Sequence, residues 1–186
     1  MKADRGTVLI GLARHAIADR LGISAAAPEI ESATWLQATA ATFVTLTMRG
    51  ALRGCIGTLT ACRPLHEDVT ANAVAAAFHD PRFPPLTAAE FDIVRIEVSL
   101  LSAMQPLAFA DESGALSAIR PGVDGVVLEY GPHKATFLPQ VWAQLPEPEQ
   151  FMAHLKLKAG LTADFWHPDL RLFIYQVEKF QEKEAL

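Results

Sequence analysis

The sequence predicts an α+β protein, with a mixed or antiparallel sheet and flanking helices, on three observations. Strand-like segments occur early, in the middle and late in the chain. Hairpin-like turns separate several of them. Helix-spaced segments lie between without the regular alternation of a βαβ series.

Each element has its own signal. From Thr7 to Leu21, apolar residues recur at Val8, Leu12, Ala16 and Ile17, which is helical spacing, and Gly22 is placed to end the helix. A polar loop containing Pro28 follows, anchored by Trp35 and Leu36. From Thr42 to Met48, Val44, Leu46 and Met48 alternate with Thr45 and Thr47, the period of a strand. Arg49-Gly50-Ala51 reads as a three-residue turn, after which the strand resumes at Leu52. That turn sets Met48 opposite Leu52, Leu46 opposite Gly54 and Val44 opposite Ile56, apolar against apolar. In this register Arg53 and Cys55 share a face with Thr45 and Thr47. Pro64 suits a first helical position, and Glu67 and Asp68 favour the positive end of the dipole that follows. Ala71 to Phe78 is small and apolar on most sides, so this half of the helix is expected to be buried.

The segment His79-Asp80-Pro81-Arg82-Phe83-Pro84-Pro85 stops that helix. Thr87 and Glu90 have capping-box spacing for a short helical turn. Val94, Ile96, Val98 and Leu100 alternate with Arg95, Glu97 and Ser99 as a half-exposed strand. Glu112 to Ala118 reads as a short helix, Val123 to Tyr130 as a strand, and Ala135 to Leu138 as its returning partner. Pro139 to Leu145 is expected to be helical, Pro148 to Ala159 is a helix ended by Gly160, and Leu170 to Phe180 is a closing strand before a charged tail. No repeat or low-complexity linker divides the chain. Residues 1–186 therefore read as a single domain, with room for a second lobe whose boundary nothing marks.

Composition narrows the function. The 186 residues are 51% hydrophobic and 20% charged, a globular composition. With 16 basic and 21 acidic residues the net charge is -5, and no Lys/Arg run is present. That argues against a nucleic-acid partner. No apolar stretch has the roughly 18 residues of a membrane span. Lys2 and Arg5 precede Val8-Leu9-Ile10, but Arg14, His15, Asp19 and Arg20 interrupt the run, so it reads as an amphipathic helix and not as an export signal. The two cysteines, Cys55 and Cys62, lie about 20 Å apart if the chain between them is extended at ~3.3 Å per residue. A disulfide needs about 4.4–6.8 Å. Free thiols without an export signal point to the cytoplasm.

Cys55 is the residue that carries potential chemistry. Arg53 lies two positions away, and a cation stabilises a thiolate. Gly54 and Gly57 let another backbone or a ligand approach closely. The alternative is that Cys55 packs as a small hydrophobe. No histidine is set beside it by local spacing. His66 and His79, on one helix, are about 220° apart around its axis at 3.6 residues per turn. Cys62 and His66 are four apart, but two ligands do not make a zinc site, so no metal is expected. The segment Gly122-Val123-Asp124-Gly125 lacks the strand-before, helix-after context of a phosphate loop and reads as a turn into a strand. Asp80 and Arg82 either pair to hold the proline-rich loop or grip a polar ligand. No dinucleotide fingerprint is present, and the cofactor is left open.

Several blocks together resemble a known family. Arg53-Gly54-Cys55-Ile56-Gly57-Thr58-Leu59 resembles the signature of the AMMECR-domain family, whose bacterial and archaeal members are labelled AmmeMemoRadiSam system protein A. Ala76 to Leu86, Glu97 to Ser102, Pro121 to Gly125 and Thr136 to Trp142 resemble further blocks of that family, in the same order. The resemblance implies a fold with a larger and a smaller lobe and a groove between them. It implies a modification pathway shared with Memo-type and radical-SAM proteins, and supplies no established catalytic residue. Two functions follow. In the first, an enzyme or enzyme subunit uses Cys55 as nucleophile or thiol ligand, Arg53 holds the thiolate or a substrate anion, and Asp80, Arg82, Glu97 and Gln140 line a polar groove. In the second, the chain is a non-catalytic binding or assembly module and Cys55 is inert. A third reading is a carrier of a small polar ligand.

Overall fold

Residues 4–28 and 34–182 are described by a computed structural model. The expected polar loop around Pro28 and the charged tail fall partly on residues 29–33 and 183–186, outside the described residues. The chain divides into two units, one of Met1–Leu101 with Glu178–Leu186, the other of Ser102–Val177.

The first unit begins with helix α1 (Arg5–Leu21), capped by Asp4 at its start and by Gly22 at φ 70°. It buries Leu9, Leu12, Ala13 and Ile17. Strand β1 (Thr39–Met48) runs into β2 (Ala51–Gly57) through a tight hairpin. Here the structure corrects the three-residue turn. Arg49 and Gly50 take φ 52° and 80°, the positive-φ pair of a two-residue hairpin loop, and Met48 pairs with Ala51. The spare residue is absorbed as a bulge at Arg53, since Thr47 pairs with Leu52 but Leu46 with Gly54. Beyond the bulge the expected register holds, with Leu46 opposite Gly54 and Val44 opposite Ile56.

Short β3 (Arg63–Pro64) pairs with the start of β1. Helix α2 (Leu65–Phe78) follows, with Pro64 as its N-cap. Helix α3 (Ala88–Phe91) carries the expected Thr87–Glu90 capping box. Strand β4 (Arg95–Leu101) pairs antiparallel with β1. Val44, Leu46, Ile96 and Val98 point to the helices and bury with Val69, Ala73 and Ala76 of α2 and Leu9 and Ile17 of α1.

The second unit contains β5 (Gln105–Pro106), α4 (Glu112–Ala118), β6 (Gly125–Tyr130), β7 (His133–Phe137), a 3-10 turn over Pro139–Ala143, α5 (Pro148–Lys158) and β8 (Arg171–Tyr175). Its antiparallel sheet runs β5-β8-β6-β7. Trp142 stacks on Phe151 at 3.8 Å and donates to the Asp124 carbonyl at 2.7 Å, fixing its core. The chain then re-enters the first sheet as β9 (Val177–Gln181), whose order is β2-β1-β4-β9. The single closing strand expected over Leu170 to Phe180 is thus two strands in two sheets, divided at Gln176. Alternating residues on both sides of Gln176, with no Gly or Pro between, give no local signal of the break. The mixed α+β class with antiparallel sheets holds.

Candidate functional site

Side chains alternate across a strand. Because Val44, Leu46, Ile96 and Val98 face the helices, Thr45, Cys55 and Glu97 face the other side of the first sheet. Thr45 pairs with Cys55 on one flank and with Glu97 on the other, so the three form one row across β2, β1 and β4. With strands about 4.8 Å apart, Cys55 and Glu97 stand about 10 Å apart at the backbone. The Cys55 sulfur is half-buried and lies 3.3 Å from Thr45 Oγ1. Glu97 is held by Lys179 at 3.1 Å and accepts a hydrogen bond from Gln181. The partner hydroxyl of Thr45 carries no sequence signal beyond alternation, and it was not among the expected site residues.

Each glycine of the signature has a packing reason. A Cβ on Gly54 would stand 2.1 Å from the carbonyl oxygen of Ala76, so α2 lies directly against the backbone of β2 there. A Cβ on Gly57 would stand 2.2 Å from the Phe43 ring. The close approach expected at these positions is made by the protein's own helix and by its own phenylalanine.

Arg53 does not stand beside the thiol as a free cation. It is 6% exposed, and its Nε and Nη2 donate to both oxygens of Glu90, at 2.9 and 3.1 Å. The bulge explains this, because it turns Arg53 out of the regular alternation toward α3 and the proline-rich loop. Nη2 also donates to the Pro85 carbonyl at 3.4 Å, while Nη1 is buried without a protein partner. Glu90 closes the capping box with Thr87 through the same carboxylate, at 2.9 Å to the Thr87 amide. The Arg53 guanidinium beside it lowers the Glu90 pKa from its ordinary 4.5 to about 2, against the opposing effect of burial.

The cation at Cys55 is Arg82. Asp80, 4% exposed, accepts from the Cys55 amide at 2.9 Å, from the Arg82 amide at 3.1 Å, and from Arg82 Nε and Nη2 at 2.9 and 2.7 Å. Arg82 Nη2 in turn donates to the Cys55 carbonyl at 3.3 Å. The Arg82 hydrogen bonds hold the Asp80 carboxyl far below the usual carboxylate range, against its desolvation. The Arg82 guanidinium is raised above its ordinary value, first by its hydrogen bond to Asp80 and then by that charge, against the opposing effect of burial. Phe83 lies between the two arginines, 6.0 Å from Arg53 and 5.6 Å from Arg82. The structural role that the sequence offered for the Asp80–Arg82 pair is therefore met, and the pair also fixes the backbone that carries the thiol.

A polar network behind the strand escaped sequence reading. Asp68, fully buried, accepts from the Thr42 amide at 2.8 Å, the Thr42 hydroxyl at 2.7 Å, the Thr58 hydroxyl at 2.8 Å, Asn72 Nδ2 at 2.9 Å and Arg63 Nε at 2.8 Å. The available signal was the four-residue spacing of Asp68 and Asn72 on the face of a helix that is otherwise small and apolar. In the sequence, Asp68 reads only as an acidic residue that favours the helix dipole.

Gln140 belongs to the second unit, where it lines a cleft of about 460 Å³ with Pro121, Pro139, Trp142 and Pro146. Cys55, Arg53, Asp80, Arg82 and Glu97 all belong to the first unit. A larger cleft of about 740 Å³, also in the second unit, lies between α4 and the start of α5. Among the described residues no three His, Cys, Asp or Glu side chains are grouped to hold a metal, and no helix is long and apolar enough to cross a membrane. What the Cys55 site offers chemically is a half-exposed thiol, a hydroxyl on its sulfur, a guanidinium at its backbone and a carboxylate two strands away.

Comparison with known proteins identifies the family of the chain. The AMMECR1 family pattern matches residues 10–180. A protein of Thermofilum pendens is 35% identical, across 98% of this chain and 92% of the relative. One from Methanothermobacter thermautotrophicus is 35% identical, across 98% and 96%. The crystal structure of the uncharacterized protein PH0010 from Pyrococcus horikoshii matches with a TM-score of 0.82 at 34% identity, covering 96% of this chain and 91% of that one. The chain belongs to the AMMECR1 family.

Proposed function

We propose that this AMMECR1-family chain is an enzyme, or a subunit of one, whose reactive group is the Cys55 thiol. The supporting observation is the setting of that sulfur: half-buried on the sheet face opposite α1 and α2, hydrogen-bonded to Thr45 Oγ1 at 3.3 Å, with the Arg82 guanidinium fixed at its backbone. Reactive cysteines are partly exposed and have a cation nearby. A Thr45 hydroxyl donating to sulfur stabilises a thiolate, and Arg82, although paired with Asp80, is the guanidinium that also reaches the Cys55 backbone. Arg53, which sequence reading gave that task, is occupied by Glu90 and acts by holding α3 and the loop in place. Glu97 and the adjoining Lys179 and Gln181 provide polar groups along the same face for a small polar ligand. The AmmeMemoRadiSam resemblance supplies the setting: a modification pathway with Memo-type and radical-SAM partners, in the cytoplasm.

Alkylation by iodoacetamide as a function of pH tests the reading, in a Cys62→Ser background because Cys62 is exposed. The expected midpoint lies below the ordinary cysteine value of about 8.5. A midpoint at that value, with a rate equal to that of a free thiol, would remove the support.

One observation favours the alternative, a non-catalytic binding or assembly module. Arg53, Gly54 and Gly57 all have structural partners, and the sulfur's hydrogen-bond partner is a hydroxyl and not a base. On that reading Cys55→Ala leaves partner binding intact in a pull-down, and Arg82→Ala, at the exposed corner of the motif, weakens it.

A further inference from the structure

The larger cleft of the second unit has no part in the thiol chemistry. Its volume of about 740 Å³ falls among small-molecule sites, which span about 300–1,000 Å³. Helix α4 lines it with Glu112, Ser113, Leu116 and Ser117, and the start of α5 lines it with Glu149. One wall is fixed from behind. Lys156 of α5 is 1% exposed, and its Nζ lies 2.5 Å from Glu112 Oε1. The same Nζ donates to the Ala163 carbonyl at 3.3 Å and lies over the Trp166 ring at 5.5 Å. Glu112 and Ala163 both line the cleft, so one buried ammonium holds two of its walls. A buried ion pair is weak support for stability, because desolvation offsets its attraction. What this pair supplies is a carboxylate kept in one position.

The groups left for a ligand accept hydrogen bonds. Lys156 engages only Oε1 of Glu112. Oε2 has no partner among the described residues, and 38% of the side chain is exposed. Ser117 Oγ donates its one proton to the Ser113 carbonyl at 2.8 Å, which leaves its lone pairs as acceptors. Glu149 carries no ion pair among the described residues. No Lys, Arg or His lines the cleft among them either, and Lys156 is sealed behind its wall. Leu116 and Ala163 add apolar surface for an aliphatic chain.

The geometry points to a binding site for a small organic cation, a primary alkylammonium. Its three N–H donors match the acceptors that the cleft presents, Glu112 Oε2, the Glu149 carboxylate and Ser117 Oγ. Its chain lies on Leu116. An anion would meet two carboxylates and no free cation. This inference does not rest on the reactivity of Cys55.

Titration of the full chain with butylamine at neutral pH, followed by amide chemical shifts, tests it, with butan-1-ol as the uncharged control of equal chain length. Saturable shifts are expected at Ser113, Ser117 and Glu149 with the amine and not with the alcohol, and they should weaken as salt is raised. Glu149→Gln, an exposed change away from the Lys156 pair, should lower the affinity about threefold, the worth of a partly exposed charge pair. Glu112→Gln keeps an oxygen for Lys156, removes the charge, and should lower the affinity at least as much. Equal shifts with amine and alcohol would reveal apolar contact alone and overturn the inference. No saturation at millimolar amine, or a folded Glu149→Gln protein that binds like wild type, would overturn it as well.

Discussion

Two turns of this molecule are built alike and do different work. In the first unit, Asp80 is buried and Arg82 lies beside it with 54% of its side chain exposed. In the second, Asp124 is buried and Arg120 lies beside it, 55% exposed. Each aspartate takes its arginine's amide and two guanidinium nitrogens. The Asp124 side-chain bonds are all local, to a residue four positions back, and they close the turn that starts β6. Asp80 reaches 25 positions back to the Cys55 amide, and Arg82 reaches the Cys55 carbonyl. A buried aspartate clamped by an exposed arginine is thus a turn-holding device. It acquires a second role only where it also grips another element, and in this chain that element is the strand with the thiol.

The largest expected effect separates the two turns by stability. Asp80→Ala leaves the Cys55 amide without its partner in addition to undoing the loop, a loss of about 3 kcal/mol from charged hydrogen bonds and an orphaned donor. Asp124→Ala undoes one turn only and should lower stability less by chemical denaturation. Equal losses would show that the long-range bond to β2 carries no weight.

Removing the arginines should reverse that order. Arg120→Ala leaves buried Asp124 with one backbone donor, whereas Arg82→Ala leaves Asp80 with two. The melting temperature is therefore expected to fall more in Arg120→Ala. The rate of Cys55 alkylation should change only in Arg82→Ala. A thiol response in Arg120→Ala would break the assignment of Arg82 as the tuning cation.

Acid sharpens the comparison further. Glu90 is depressed from 4.5 to about 2 by Arg53, so its contribution is complete above pH 4.5 and is lost as pH falls toward 2. Glu90→Gln is expected to lower stability at neutral pH and to flatten its decline over that window. An unaltered acid profile would show that the Arg53–Glu90 pair contributes nothing to acid stability. The smallest effect is expected from Thr45→Val. It keeps shape and strand propensity but removes the hydroxyl from the sulfur, so stability should hardly move while alkylation slows at neutral pH.

Most secondary elements were legible in the sequence because their signals are local. The α1 stop at Gly22, the Thr87–Glu90 capping box and the Glu112–Ala118 helix rest on residues within a few positions of one another. The hairpin was misread by one residue because a three-residue turn and a two-residue turn followed by a bulge give the same pairing from Leu46 onward. That single residue decided where Arg53 points, and with it which arginine meets Cys55. The row Cys55–Thr45–Glu97 needed the β1–β4 pairing, whose partners lie about fifty positions apart. The Asp68 network joins four segments, and no spacing along the chain announces it. The segment Gly122 to Gly125 reads correctly as a turn, because Gly122 at φ 76° and the Arg120–Asp124 bonds are local.

The proposed chemistry at Cys55 requires a thiolate at neutral pH. Titration of the thiolate ultraviolet absorbance, taken as the difference between the Cys62→Ser protein and its Cys55→Ala derivative, reads that charge without any reagent. A step centred below about 8.5, moving upward in Arg82→Ala, is the predicted result. A step at or above that value, unmoved by Arg82→Ala, would contradict it.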